Sequence, residues 1–135
     1  MTKGIYVLVI SISGDIRIDV GALGGIDFVK GLYAYVGSAQ SGLEKRVQRH
    51  LRKTKQKFWH IDYLLDNNNV KVLKVFRKEA GKPDECKIAK KMNRKGFPIK
   101  GFGSSDCKCV SHLFKLKSNE VLEELMLKTR MYSEY

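Results

Sequence analysis

The chain has 135 residues and a mass of 15.4 kDa, a size that predicts a single domain over residues 1–135 with a substantial hydrophobic core. The hydrophobic fraction of 43% excludes a disordered chain, and no apolar run approaches the ~20 residues that a membrane span requires. Because Met1, Thr2 and Lys3 lead directly into a strand-sized apolar run, no secretory leader is expected, and the predicted compartment is the cytoplasm.

The charge balance is strongly basic. Lys and Arg total 26 against 14 Asp and Glu, which gives a net charge of +12. Such an excess predicts a polyanionic partner, and nucleic acid is the first candidate. The alternative is that the charge serves solubility alone. A membrane partner is not expected, because no basic amphipathic helix carries Trp or Phe on one face.

The N-terminal part of the chain has the pattern of a small antiparallel meander. Residues 4–11 are uncharged and rich in β-branched side chains, as in a buried strand. Residues 16–20 alternate apolar and charged positions, which predicts a half-exposed strand. Further strands are predicted over residues 26–29, 32–36, 70–77 and 110–116. Glycine-rich loops are predicted at residues 21–25 and 97–109.

Helices are predicted over residues 42–54, 58–66, 84–95 and 118–130. Ser41 and Ser118 are the expected N-caps of the first and last helices. Pro83 suits the first position of the third helix, and Gly96 suits its exit. The prediction is an α+β domain, with a core at about residues 4–116, in which helices flank a small antiparallel or mixed sheet.

The first helix carries two basic side chains in an unexpected place. At about 100° per residue, Leu43, Val47 and Leu51 form an apolar stripe. Arg46 and His50 lie on the margin of that stripe, four residues apart, and should reach toward the sheet. A basic side chain at a buried edge needs an anion, which is either a bound ligand or a core carboxylate. The predicted nucleic-acid contacts lie on the opposite, solvated side or just beyond it: Lys45, Arg49, Arg52 and Lys53.

The helix at 84–95 presents a similar anomaly. Ile88, Ala89 and Met92 form its inner stripe, and Glu85 heads that stripe, whereas Lys90 points outward. A carboxylate on an inner face is neutralised, paired or bound to a metal ion. The alternative is a first-turn acid that is favoured by the helix dipole.

The cysteines raise a separate possibility of metal binding. Cys107, Cys109 and His112 form a C-x-C-x₂-H pattern, and Cys86 lies at the start of the preceding helix. Together these residues offer the ligands of a tetrahedral Zn²⁺ site. The alternatives are buried reduced thiols, or a disulfide from Cys86 to Cys107 or Cys109 if the source is a hyperthermophile.

Two short segments carry a resemblance to a known superfamily. Residues 4–6 (GIY) and 35–37 (YVG) resemble the two halves of the GIY-YIG nuclease motif, and the second continues as YVGSAQSGLEKRVQRH, which includes Arg46 and His50. Glu85 matches the metal-binding Glu of that superfamily by order and by its inward face. More closely, residues 4–116 resemble a small, mostly archaeal family whose members are sometimes fused to endonuclease III-like repair proteins. The segments WHIDYLL and GFGSSDCKCVSHLF look like its signature.

The sequence departs from the better-known families in two places. Residues 12–31 separate the motif strands, which predicts an extra hairpin between them. The late Asn of the superfamily has no clear match, and His112 and Ser105 are the candidates for its place.

The resemblance implies a metal-dependent endonuclease that acts on double-stranded or branched DNA in repair or processing, with a repair glycosylase-like protein as a further partner. It casts Tyr6 as general base toward water and Tyr35 as the group that positions water and phosphate. Arg46 would stabilise phosphate charge, His50 would hydrogen-bond Tyr6 or a phosphate oxygen, and Glu85 would bind Mg²⁺ or Mn²⁺. We expect these five side chains to converge on one groove of the sheet.

Two other functions fit the same sequence. One is a non-catalytic nucleic-acid-binding module, with or without a stabilising zinc ion, and the other is a zinc-stabilised protein-interaction domain. His60, beside Trp59, is a weaker candidate for the catalytic cluster, and packing explains it as well.

Overall fold

The computed structural model describes residues 3–52, 56–105 and 107–133. Its strands are β1 (Gly4–Ile12), β2 (Ile16–Asp19), β3 (Gly25–Phe28), β4 (Gly31–Ala39), β5 (Val70–Lys78), β6 (Gly96–Pro98), β7 (Leu113–Leu116) and β8 (Tyr132–Ser133). Its helices are α1 (Leu43–Leu51), α2 (His60–Leu65), α3 (Pro83–Lys95) and α4 (Asn119–Lys128), with a short 3₁₀ turn at Gly21–Leu23. Within the described ranges, none of the helices has the length and apolar character needed to cross a membrane.

The strands form one six-stranded sheet and one separate hairpin. The order of the large sheet is β6-β7-β4-β1-β5-β8, and every neighbouring pair in it is antiparallel. Strands β2 and β3, which lie between the first two long strands in the sequence, pair only with each other among the described residues. The prediction of an α+β domain with an antiparallel sheet, flanking helices and an extra hairpin is therefore confirmed.

Strand β1 lies at the centre and is covered on both faces. Tyr6, Leu8 and Ile10 point into a core that contains side chains of α1, α2 and the hairpin. Ile5 and Val7 point into a second core that contains side chains of α3 and α4. This double coverage explains why residues 4–12 read as a continuous apolar run rather than an alternating one.

The start and the inner face of α1 differ from the prediction. Gly42, not Ser41, precedes the helix, with a left-handed φ of +66° that favours glycine. Leu51 is 37% exposed, and His50 is buried in its place because its ring contacts Tyr6. The helix ends at Leu51, whereas the prediction extended it to residue 54, and residues 53–55 lie outside the described ranges.

The C-terminal half follows the predicted pattern except at β6, β7 and β8, and the two-residue strand β8 was not predicted. Pro83 begins α3, Gly96 follows its end, and the hydroxyl of Ser118 caps α4 by accepting the N–H of Val121. The loop predicted from residue 97 is wrong at its start, because Gly96–Pro98 forms a short strand beside β7. Strand β7 begins at Leu113 rather than residue 110. A pairing of three residues is too short to leave a periodic signal in the sequence.

Leu8 is fully buried on β1. The substitution Leu8→Ala should lower the free energy of unfolding by about 2–5 kcal/mol, because it leaves a cavity in the centre of the sheet. Leu127→Ala on α4 is the matched control, since that side chain is 79% exposed and its loss should change stability by less than about 0.5 kcal/mol. Urea unfolding of both variants measures the difference. Equal losses would contradict the placement of β1 at the core.

Candidate functional site

One cavity of about 530 Å³ is lined by most of the residues that the resemblance assigns to catalysis and metal binding. It is formed by β1, β4, the beginnings of α1 and α3, the residues around the start of α2, and the loop that follows β6. Four of the five residues expected to converge line it: Tyr6, Tyr35, Arg46 and Glu85. The fifth, His50, is not among the lining residues and is only 2% exposed.

The two tyrosines occupy neighbouring strands. Tyr6 pairs with Gly37 across β1 and β4, and the centroids of the Tyr6 and Tyr35 rings are 6.5 Å apart. A Cβ at Gly37 would lie 2.4 Å from the hydroxyl oxygen of Tyr6, so only glycine leaves room for this ring. The glycine of the YVG segment is thus required by the position of the first tyrosine.

The hydroxyl of Tyr6 joins the cavity to His50. Its oxygen lies 2.7 Å from Nε2 of His50. Burial raises the pKa of Tyr6 far above its usual value, although Arg46 acts in the opposite direction, and burial also raises the pKa of Tyr35. Tyr6 is therefore a neutral phenol at physiological pH, and its O–H donates to His50 when the proton of the imidazole is on Nδ1. Of the two partners predicted for His50, the structure supplies Tyr6.

Arg46 and Arg49 have different surroundings although both lie on α1. Arg46 donates to the carbonyl of Ser38 at 3.2 Å and has no carboxylate partner among the described residues. Arg49 binds both oxygens of Asp62, at 2.8 and 2.9 Å. The prediction of Arg49 on the solvated face is wrong, because Asp62 is fully buried and draws this side chain inward. The core carboxylate that was expected near α1 is therefore Asp62, and it pairs with Arg49 rather than with Arg46.

The Arg49–Asp62 pair also fixes the segment before α2. Asp62 accepts the backbone N–H groups of Phe58 and Trp59 at 2.8 and 2.9 Å. Burial raises the pKa of Asp62, but the hydrogen bonds from Arg49 and these N–H groups outweigh it and lower that pKa below its usual value. The charged pair is therefore complete at neutral pH and holds two aromatic residues at the cavity.

Phe58 and Trp59 line the cavity and were not predicted from the sequence. Phe58 is 70% exposed, and the Trp59 ring lies 4.5 Å from the Arg46 guanidinium and 4.3 Å from that of Arg49. Two consecutive aromatic residues directly after a basic stretch were the available signal, since nucleic-acid surfaces interleave these types. Ser38 and Lys82 also line the cavity and were missed.

Glu85 is paired on both of its oxygens. Oε1 accepts the hydroxyl of Ser38 at 2.9 Å, and Oε2 lies 3.1 Å from Nδ1 of His112. The second contact is an ion-pair distance without the alignment of a good hydrogen bond. A carboxylate has two lone-pair sites on each oxygen, so Glu85 still has acceptor positions toward the cavity that it lines.

The remaining candidates divide between the cavity and its surroundings. His60 lines the cavity, but its Nδ1 accepts the N–H of Gly103 at 2.8 Å, and burial lowers its pKa, so it holds the adjacent loop as a neutral ring. Ser105 lines the cavity, whereas His112 lies beyond Glu85 and is 2% exposed. Of the two candidates for the place of the late Asn, only Ser105 reaches the cavity.

The predicted nucleic-acid contacts are only partly supported by their placement. Lys45 and Arg52 are exposed, while Arg49 is held by Asp62 and Lys53 lies outside the described ranges. Lys82 adds an exposed cation on the cavity lining.

The cysteines form a cluster that could hold a metal ion. The sulfurs of Cys86, Cys107 and Cys109 and one nitrogen of His112 all lie within 4.8 Å of one another, and the Cys107 sulfur is 3.4 Å from Nε2 of His112. All three cysteines are free, so the disulfide alternative is wrong for this structure.

Comparison with known proteins identifies a family for the chain and finds no individual protein that matches it. A family model matches residues 5–133, and it is that of DUF123, a domain of unknown function. No curated protein and no solved structure matches the chain.

Stability should decline in alkaline solution because of the buried phenols. Burial raises the pKa of Tyr33 to about 12, so the folded state holds this proton more tightly than the unfolded chain. The resulting stabilisation is complete below a pH of about 10 and is lost as the pH rises through the folded pKa, by up to about 1.4 kcal/mol per pH unit. Urea unfolding between pH 8 and 11 should show that the free energy of unfolding falls less steeply with pH for Tyr33→Phe than for the parent. An identical pH dependence in the two proteins would contradict the raised pKa of Tyr33.

Proposed function

The chain belongs to the DUF123 family, and we propose that it is an endonuclease that hydrolyses phosphodiester bonds of DNA with the help of a divalent metal ion. The observation that carries this proposal is the single cavity lined by Tyr6, Tyr35, Arg46 and Glu85. These are also positions at which the sequence resembles GIY-YIG nucleases. On that resemblance we place the activity in DNA repair or processing in the cytoplasm, with a repair glycosylase-like protein as a partner.

Arg46 and Glu85 suit the two charges of a phosphodiester site. Arg46 lines the cavity without a carboxylate partner among the described residues, so its positive charge is available to phosphate oxygens. Glu85 offers carboxylate oxygens, which Mg²⁺ and Mn²⁺ prefer, and one such ligand suffices when waters complete the shell. When bound, the ion supplies positive charge to the phosphate and the leaving oxygen.

The contact between Tyr6 and His50 suggests how the attacking water loses its proton. Burial raises the pKa of Tyr6, so a free tyrosinate would be costly. In the proposed step, the Tyr6 oxygen accepts a proton from the water as its own proton passes to Nε2 of His50, 2.7 Å away. The water oxygen then bonds to phosphorus as the bond to the leaving oxygen breaks, and the leaving oxygen takes up a proton from solvent. Tyr35 would position the water and the phosphate.

The surroundings of the cavity suit a nucleic acid. Lys82 lines it, Lys45 and Arg52 are exposed, and the chain carries a net charge of +12. Phe58 and Trp59 add exposed aromatic surface on which a base can stack. The combination of cations for the backbone and rings for the bases favours DNA over a small phosphorylated metabolite.

A non-catalytic nucleic-acid-binding module is the second candidate. It is favoured by the pairing of Glu85, since Ser38 and His112 already contact both carboxylate oxygens and give this residue a structural role. The same cations and aromatic rings would then bind DNA without cutting it.

For the thiol cluster, we propose Zn²⁺ as the ion. Three sulfurs and one imidazole nitrogen are the donors of structural zinc sites, and soft thiolates select against Mg²⁺. This ion is distinct from the catalytic cation that we assign to Glu85. A zinc-stabilised protein-interaction domain would also bind this ion, but the cavity residues would have no role in its function.

The substitution Glu85→Gln should reduce Mg²⁺- or Mn²⁺-dependent cleavage of plasmid and branched DNA by about 100-fold or more, because it removes the charged ligand but keeps the shape of the side chain. Gln retains an acceptor for Ser38, so the fold should persist. Lys90→Ala on the outer face of α3 is the control and should cleave at the rate of the parent. EDTA should abolish cleavage in every variant that shows it.

Two results would contradict this proposal, the first for the metal site and the second for the nuclease activity. A Glu85→Gln variant that cleaves as fast as the parent would make Glu85 a structural acid. A parent chain that binds DNA but never cleaves it with Mg²⁺ or Mn²⁺ would favour the binding module.

DNA affinity should fall steeply with salt, since each phosphate contact adds about 0.9 to the slope of log K against log salt concentration. Lys45→Ala and Arg52→Ala should each lower that slope by about 0.9 if both side chains contact phosphate. Lys128→Ala is the control, because this residue lies on α4, against the other face of the sheet. Fluorescence anisotropy without added Mg²⁺ or Mn²⁺ measures binding without cleavage. An affinity that does not change with salt would contradict the predicted surface.

A further inference from the structure

The thiol cluster and the proposed active site share one turn of helix. Cys86 directly follows Glu85 in the first turn of α3, while Cys107, Cys109 and His112 come from the segment before β7. An ion bound to all four would tie this turn of α3 to that segment. The position of Glu85 would then depend on the ion.

The donor set fits an ion with short bonds to sulfur and nitrogen. Zinc bonds of about 2.3 Å to sulfur and about 2.0 Å to nitrogen put neighbouring tetrahedral donors about 3.5–3.8 Å apart. The Cys107 sulfur and Nε2 of His112 are already 3.4 Å apart, and the whole set lies within 4.8 Å. A movement of about 1 Å therefore brings all four donors to bonding distance.

His112 connects the cluster to Glu85 through its two ring nitrogens. Nε2 faces the Cys107 sulfur, and Nδ1 lies 3.1 Å from Oε2 of Glu85. The ring is 2% exposed, and Nδ1 has no well-aligned hydrogen bond among the described residues. An ion on Nε2 forces the ring proton onto Nδ1, where it can be donated to the carboxylate.

We propose that Zn²⁺ bound by Cys86, Cys107, Cys109 and His112 holds Glu85 in place through the Nδ1–H of His112. His112 is then a positioning residue, and with Ser38 it anchors both carboxylate oxygens of Glu85. What Glu85 does there rests on the proposed function, but its link to the zinc ion can be measured without DNA.

The contact between His112 and Glu85 predicts that replacement of Glu85 changes the zinc affinity of the thiol cluster, although Glu85 is not one of its ligands. Loss of a carboxylate that orients a metal-bound His costs about 10- to 100-fold in affinity. Glu85→Gln should therefore bind zinc more weakly by that factor, with unchanged stoichiometry. Asp84→Asn is the matched control, because Asp84 lies in the same turn but faces Lys78 and Lys87. It should bind zinc as the parent does.

The experiment uses the full chain, reduced and freed of metal, and titrates it with Co²⁺ and then Zn²⁺. The parent should take up one Co²⁺ with the intense ultraviolet charge-transfer absorption and visible bands of a tetrahedral thiolate site, and Zn²⁺ should displace it. Cys109→Ser should lose or alter these bands. Absence of Co²⁺ and Zn²⁺ binding in the parent would overturn the site, and equal zinc affinities for Glu85→Gln and Asp84→Asn would overturn the link.

The cleavage assay separates this proposal from the nuclease. A parent chain that never cleaves DNA but binds zinc more weakly when Glu85 is replaced would remove the nuclease and support the link. A parent chain that cleaves DNA, with a zinc affinity that is indifferent to Glu85, would retain the nuclease and reject the link.

Discussion

The coverage of β1 on both faces determines where the candidate site can form. Its side chains alternate between two cores, so Tyr6 must point toward α1 while Ile5 and Val7 point toward α3 and α4. A buried phenol needs a hydrogen-bond partner and room for its ring. His50 supplies the partner and Gly37 supplies the room. The packing of one strand therefore fixes the histidine of α1 and the glycine of β4 together.

The distribution of charge around the cavity depends on one buried carboxylate. Asp62 neutralises Arg49 and anchors the segment before α2, which leaves Arg46 beside the Trp59 ring without an acidic partner among the described residues. Two arginines three positions apart on α1 thus have separate roles. One completes a structural ion pair, and the other keeps a positive charge available at the cavity.

Local periodicity was sufficient to predict most elements and the inward position of Arg46, His50 and Glu85. Features set by distant partners were not predictable in this way. The inward turn of Arg49 depends on Asp62, which lies on another helix, and the three-residue strand β6 depends on pairing with β7. The C-x-C-x₂-H spacing gave the donors of the thiol cluster. It could not show that the second nitrogen of its histidine faces Glu85, because that contact joins separate segments.

The edge of the large sheet along β5 has a consequence for association between copies of the chain. Strand β8 pairs only with Phe76 and Arg77, so within the described ranges the outer backbone of residues 71–75 has no neighbouring strand. Such an edge can add a strand from a second molecule. Lys71 is exposed along it, and antiparallel pairing that places the Lys71 side chains of two copies opposite each other would be destabilising, since like charges would then face each other. A lysine at this position therefore disfavours self-association along this edge.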